Sequence, residues 1–417
     1  MSQMINRLKK IFRLHPQQVD VPHGRVWAET HSDPLLHVNI DPKADKILTH
    51  IFDPQNMALP SITTGLAQLQ QHAAQTAERL IKSYHLSIES KNSVNYTRKE
   101  NDLWSGIIEK EFADLITILN NKDADKLVDY LMHFGESYTW FGGLCFSLDG
   151  YNHLNKAERN VAISYFDKLV CLAEAVGAIA LENPEQGAWG ENVKLDVKTL
   201  IELIEVQTGT SLHVPQGIVP VSGIESPVGP IHYRHLNSYY AAWRAKTLVG
   251  KTGGSVCEFG AGNGIAAYYA HRMGIAKYTT IDLPLTNVFS GWFLINAIGA
   301  DKVCLHGESS DVNGIQLLPS WKCADIEANA FDLVLNQDSF PEIDKTLLLS
   351  YFEVIQKIAS QYFLSINHET ESPMADVGHS NVSKLLKYNP HFALLSRTKY
   401  WIREGYVEEL YRIQKIL

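Results

Sequence analysis

Hydrophobic and polar positions fall into distinct textures along the chain. From His15 to about Pro60 the prolines at 16, 22, 34, 42, 54 and 60 interrupt any period, so residues 1–60 read as an irregular N-terminal segment. From Thr64 to about Gly209 apolar residues recur at steps of three and four. Trp104, Ile107, Ile108, Phe112, Leu115, Ile116 and Leu119 share one face in this way, as a helix with one buried side requires. Asn155 and Glu158 have capping-box spacing ahead of a helix predicted to run toward Ile179. Val197, Leu200, Ile201 and Ile204 line one side of another helix over 196–207, with Gly209 as its stop. Residues 61–210 are therefore expected to form a helical domain.

The pattern then breaks. Pro215, Gly217, Pro220, Gly223, Pro227, Gly229 and Pro230 exclude regular helix, so 211–244 read as a connector followed by a lead-in helix. Beyond Ser255, β-rich runs at 256–259, 278–281, 302–306, 331–336 and 362–366 interleave with helical runs at 265–273, 285–298 and 345–359. Such alternation predicts a mostly parallel sheet with helices on both faces. Two further strands, 392–397 and 406–413, joined by a turn at Glu404-Gly405, add an antiparallel C-terminal strand. The expected fold is α/β, a Rossmann-like sheet over 245–417 beside a mainly α-helical N-terminal region.

Composition narrows the possibilities. A chain of 417 residues, 45% of them hydrophobic, can bury a large core and hold more than one folding unit. With 37 Lys+Arg against 46 Asp+Glu it has a net charge of -9, which argues against nucleic acid as a partner. Cys145, Cys171, Cys257, Cys304 and Cys323 form no CxxC pair, so neither a disulfide scaffold nor a structural zinc site is indicated, and a reducing compartment fits. No apolar stretch approaches the ~20 residues that span a bilayer, and the N-terminus lacks the features of a signal peptide. A cytoplasmic protein without stable membrane insertion is expected. Residues 1–14 place Ile5, Leu8, Ile11 and Phe12 at helical spacing beside Arg7, Lys9, Lys10 and Arg13. They read as a short frayed helix or, alternatively, as a segment lying on an anionic membrane surface.

The sharpest chemical feature is Glu258-Phe259-Gly260-Ala261-Gly262-Asn263-Gly264, where a predicted strand gives way to a helix. Glycines there let the backbone turn tightly and approach a ligand at the open helix N-terminus. A dinucleotide fingerprint needs glycine at 265, which is Ile265, and the Gly-Lys-Ser/Thr ending of a P-loop is absent. The next strand ends in Asp282, where an acid can accept hydrogen bonds from both ribose hydroxyls. Carboxylates this close to the loop suit a positively charged ligand and would repel a pyrophosphate. S-adenosylmethionine, a nucleoside with a sulfonium and an amino group, meets these demands together. Glu258, Gly260, Gly262, Gly264 and Asp282 resemble the cofactor motif of class I methyltransferases.

A narrower resemblance rests on Tyr239–Arg244, Ile281–Leu285, Asn336–Glu342, Ser365–His368 and Tyr400–Tyr406. Together they are similar to the bacterial sugar O-methyltransferase family, over roughly Leu200 to the C-terminus. The loop departs from the family's usual Glu-Ile-Gly-Gly-Gly by reading Glu-Phe-Gly-Ala-Gly. The resemblance implies methyl transfer to a hydroxyl of a sugar, whether free, nucleotide-linked or within a glycan.

In a doubly wound sheet the residues just after each strand face the ligand. Glu308, after the predicted third strand, is a candidate for the adenine or ribose edge, and Asn336 is a further cofactor candidate. Asn336-Gln337-Asp338 is not the Asn-Pro-Pro-Tyr that holds an exocyclic amine. A sugar hydroxyl does not ionise unaided at neutral pH, so a positioned base is needed, and histidine suits the task. His368 is the first candidate; Asp338 is the second, as base or as the group that orients the hydroxyl. Glu342, Asn367, Tyr233 and His235 are candidate acceptor contacts, although Tyr233 and His235, with His232 and Arg234, also read as a packed helix start. Asp338, Glu342 and His368 would be the donors if a divalent metal took part, which their spacing does not establish. Trp401 and Tyr406 could stack on a sugar ring or belong to the core. Other readings left open are a non-sugar hydroxyl acceptor, an inactive cofactor-binding scaffold whose helical half engages a partner, and oligomer formation.

Overall fold

The computed structural model describes residues 58–92, 103–136, 144, 146, 157–183, 185–187, 189–250, 254–309, 314–370 and 380–415. These belong to one compact unit, Ile47–Leu417; a separate unit, Met1–Lys46, lies outside the described residues, as do residues 1–14 and the Asn155 cap.

In chain order, strand β1 (Ile62–Gly65) precedes helices α1 (Ala73–Asn92), α2 (Leu103–Glu111), α3 (Ala113–Asn120), α4 (Ala124–His133), α5 (Ala157–Ala175) and α6 (Val197–Thr208). The apolar stripe of 104–119 is thus shared by two helices that break at Phe112, whose ring is buried. Helix α6 has the predicted ends: Asp196 accepts from the Thr199 N–H at 2.8 Å, and Gly209 takes a left-handed conformation just past the last turn. The connector holds a strand that the sequence pattern did not predict, β2 (Val221–Ile224), antiparallel to β1.

Helix α7 (Tyr233–Val249) leads into β3 (Ser255–Phe259), α8 (Ile265–Arg272), β4 (Lys277–Asp282), α9 (Pro284–Ile298), β5 (Val303–Cys304), β6 (Ile315–Pro319), β7 (Phe331–Gln337), α10 (Lys345–Ile358), β8 (Ala359–His368), α11 (Val382–Leu386), β9 (Phe392–Lys399) and β10 (Tyr406–Ile413). Strands β3 to β10 form one sheet in the order β5-β6-β4-β3-β7-β8-β10-β9. Its pairs are parallel except those of β10, which runs antiparallel to both β8 and β9. The sheet is the expected doubly wound, Rossmann-like one.

One strand assignment needs correcting. The run 302–306 supplies only the two-residue edge strand β5, and the strand beside β4 is β6, which sequence reading passed over. Burial alternates along it (Ile315, Leu317 and Pro319 buried), but its residues, Ile-Gln-Leu-Leu-Pro, hold one polar position in five, and so short a run without apolar/polar alternation is a weak signal.

Successive strand residues face opposite sides of the sheet. Val256, Leu333, Leu335, Leu364 and Ile366 join α7, α8, α9 and the N-terminal helices in one apolar cluster. Cys257, Phe259, Val334 and Phe363 pack with α10 and α11 in a second. The helical region and the sheet therefore share a core. Among the described residues no helix is long and apolar enough to cross a membrane.

Candidate active site

A cavity of about 500 Å³ opens where the loops after β3, β4, β6, β7 and β8 meet the turn before β10. Small-ligand sites span about 300–1,000 Å³, and strand C-termini are where doubly wound sheets place them.

One end is built by the glycine loop. Gly260, Gly262 and Gly264 have φ of 75°, 56° and 78°, a region that side chains rarely adopt. A Cβ on Gly260 would run into Ser339 Oγ, and one on Gly264 would lie 2.9 Å from Leu294 Cδ1. Gly260 and Gly262 line the cavity, whereas Gly264 is not among its lining residues: it is the N-cap of α8, close against α9. Asp282 ends β4 and faces the loop; its Oδ2 accepts from the Gly262 N–H at 2.9 Å and its Oδ1 from its neighbour Leu283 N–H at 2.7 Å. Glu258 is buried beside them and accepts from Tyr278 OH at 2.9 Å. Burial pushes its carboxyl up to about 7; the Tyr278 bond pulls it down and the charge of Asp282 pushes it up. A raised carboxyl beside a second carboxylate forms an environment that a bound cation would relax.

The other end centres on Asp338, just past β7. It has a positive φ of 65°, unusual for a residue with a side chain, and its N–H donates to the Ile366 carbonyl at 3.0 Å. Its carboxylate accepts from Arg403 Nη1 and from Tyr406 OH, and Arg234 Nη1 lies 3.9 Å away. The Arg403 guanidinium sits 4.2 Å over the Tyr406 ring. Burial works against the Arg403 charge, but the Asp338 carboxylate outweighs it and raises the guanidinium pKa. Glu342 is pushed up to about 8, by burial first and then by Asp338, against the pull of Arg234 and Arg403, so its carboxyl is mainly protonated at neutral pH. His368 ends β8 opposite Tyr406 in register, with their rings edge to face at 5.5 Å.

The cavity thus gathers His368, Asp338, Glu342, Glu258, Gly260, Gly262 and Asp282. Other candidates are placed elsewhere. Asn336 and Asn367 lie beneath the site: Asn336 Nδ2 donates to the Phe259 carbonyl at 2.8 Å, and Asn367 Nδ2 donates to Asn336 Oδ1 at 2.8 Å, tying β3, β7 and β8 together. Glu308 follows the edge strand β5 and accepts from Arg79 of α1 through both oxygens, at 2.9 and 2.8 Å. The expectation that puts it beside the nucleoside rests on β5 as the neighbour of β4; the true neighbour is β6, and the residue after β6 is Ser320, which does line the cavity. His235 is buried, and its Nδ1 accepts from the His232 N–H at 3.1 Å while its ring stacks on Phe146; burial lowers its pKa to about 4. Tyr233 lies behind the cavity wall, its ring 5.2 and 5.9 Å from the guanidiniums of Arg234 and Arg403. Of the two C-terminal aromatics, Tyr406 lines the cavity and Trp401 does not. Among the described residues no three His, Cys, Asp or Glu side chains form a set that could hold a metal ion.

Arg234, Arg403, Tyr400, Gln337 and Ser339 also line the cavity; the sequence marks the segments that hold them without giving any of them a site role of its own. The signal for the C-terminal group was present. An antiparallel strand beside β8 must start where β8 ends, which brings the 400–406 turn to the ligand end of the sheet.

No family model matches the chain, and no curated protein matches it. Solved structures do. A SAM dependent methyltransferase from Aquifex aeolicus is 16% identical over 42% of this chain and 92% of its own, with a TM-score of 0.32. Magnesium protoporphyrin IX methyltransferase from Synechocystis, solved with bound SAH, is 12% identical over 44% of this chain and 84% of its own, with a TM-score of 0.32. Identity and superposition this low leave function to the site itself.

Proposed function

We propose that the chain is an S-adenosylmethionine-dependent O-methyltransferase whose acceptor is a sugar hydroxyl. The observation that carries this reading is that a single cavity joins the loop of Gly260 and Gly262, with Asp282 beside it, to His368 at the end of β8. The residues suit the cofactor: Gly260, which admits no Cβ, and Gly262 would cradle it, Asp282 would accept from its ribose, and the acids at 258 and 282 would face a ligand that brings positive charge. Ser320, just after β6 and so beside the β4 end that carries Asp282, lines the same cavity.

When bound, S-adenosylmethionine supplies an electrophilic methyl group on a sulfonium and leaves as S-adenosylhomocysteine. His368 accepts the proton that the acceptor hydroxyl gives up as its oxygen takes the methyl group, and then returns it to solvent. Asp338, already engaged by Arg403 and Tyr406, holds the acceptor end in shape and orients the hydroxyl. Asn237, Ser238 and Gln337 add polar groups to the wall, and Tyr400 and Tyr406 add aromatic surface, a lining that supports a sugar as acceptor.

Trp104, Ile107, Ile343 and Leu347 form an apolar part of the wall and support a second reading, a non-sugar hydroxyl such as a phenol. A phenol ionises near pKa 10 and needs less help from a base, so activity retained by His368→Ala would select it. Calorimetric titration of the purified chain with S-adenosylmethionine tests the cofactor: saturable binding is expected, and its absence would remove the methyltransferase reading altogether.

A further inference from the structure

Arg234, the second residue of α7, stands out in the wall because its guanidinium donors find no partner among the described residues. Among the described residues its guanidinium makes no hydrogen bond: Nε is enclosed without a partner, and the nearest carboxylate oxygen is that of Asp338 at 3.9 Å, beyond hydrogen-bond reach. Its side chain is 20% exposed and lines the cavity, so it is open to a ligand from that side alone. Asp338 cannot answer it fully, being held by Arg403 and Tyr406. Glu342, the other acid here, is mainly neutral near pH 7 because of its burial and the charge of Asp338. This end of the cavity then carries two guanidinium charges against one carboxylate, the reverse of the acidic end at Glu258 and Asp282. A mostly buried guanidinium with spare donors facing a cavity matches two oxygens of a carboxylate or phosphate.

We propose that Arg234 is the docking point for an oxyanion, a carboxylate or phosphate, bound inside the cavity. Two sources share this chemistry: an acidic group on the acceptor, and the carboxylate at the amino-acid end of the cofactor. Only the choice of probes rests on the methyltransferase reading.

Calorimetry on the full chain, as wild type, Arg234→Gln and Arg234→Lys, separates the sources. One arm compares S-adenosylhomocysteine with methylthioadenosine, which lacks the amino-acid portion; the other compares glucuronate with glucose. Arg234→Gln is expected to weaken one charged probe by about tenfold or more and leave its neutral counterpart unchanged. Arg234→Lys should recover part of the loss. A loss confined to S-adenosylhomocysteine identifies the cofactor carboxylate, and a loss confined to glucuronate identifies an acidic acceptor. Both charged probes binding Arg234→Gln as tightly as wild type would overturn the proposal. Should that variant not fold, a salt series on the wild type decides: affinity for a charged probe that falls with added sodium chloride while its neutral counterpart holds supports the site, and no such difference in either pair overturns it. Glucuronate captured through Arg234 without any S-adenosylhomocysteine binding would keep the oxyanion site and remove the methyltransferase reading.

Discussion

Arg403 and Asp338 are ion-paired across the junction between the C-terminal strand pair and the central sheet. Asp338 belongs to the end of β7 and Arg403 to the turn between β9 and β10, so the pair fastens that turn over the cavity. A carboxylate held this way is an anchor with little freedom to act as a base, in keeping with the proposal that gives that task to His368.

Removing one partner strands the other charge. Arg403→Gln is expected to lower unfolding free energy by roughly 1–3 kcal/mol, below the cost for a fully buried pair because the two side chains keep 29% and 24% exposure. Adding Asp338→Asn to it should recover part of the loss. Denaturant titration of the two single variants and the double variant reads the coupling, and strictly additive losses would show that the two residues are not coupled.

Glu342 gives the fold a pH dependence with a definite sign. Its carboxyl ionises at about 8 in the folded chain against 4.5 for the free group, so between those values the folded state binds the extra proton. Stability from this group is present in full below about 4.5 and declines as pH rises, until it is gone above about 8. Glu342→Gln removes the titration. Its unfolding free energy should fall less than that of the wild type between pH 5 and 8, by an amount on the order of a few kcal/mol. Parallel stability curves would mean that Glu342 is ionised in the folded protein at neutral pH.

Asp282→Ala should weaken S-adenosylmethionine binding by roughly 1–3 kcal/mol, the scale of hydrogen bonds to a charged group. The same substitution frees the Gly262 N–H, so the loop should also lose protection from hydrogen exchange. Unchanged cofactor affinity would move the ribose elsewhere.

Local signals were enough for much of this. Alternating runs marked the doubly wound sheet, Asp196 and Gly209 bounded α6, and Glu258 to Gly264 with Asp282 marked one end of the cavity. What escaped depended on long-range pairing. Glu308 could be placed correctly only by knowing that β6 and not β5 adjoins β4, and that neighbour relation is a property of the sheet. Arg403 and Tyr400 reach the site only because β10 is reversed beside β8. Asn336 and Asn367 are polar residues at strand ends, as ligand contacts are, but their Nδ2 groups are taken up in holding three strands together. Residue type at a strand end does not reveal whether a side chain points into the cavity or under it.

The most direct measurement is transfer of an isotopically labelled methyl group from S-adenosylmethionine to a panel of neutral and acidic sugars by the purified chain, read by mass. The expected result is a labelled methyl ether on at least one sugar, with the rate falling by about a hundredfold or more in His368→Ala while cofactor affinity is kept. Cofactor binding with no labelled sugar across the panel, or a labelled sugar formed equally fast by His368→Ala, would contradict it.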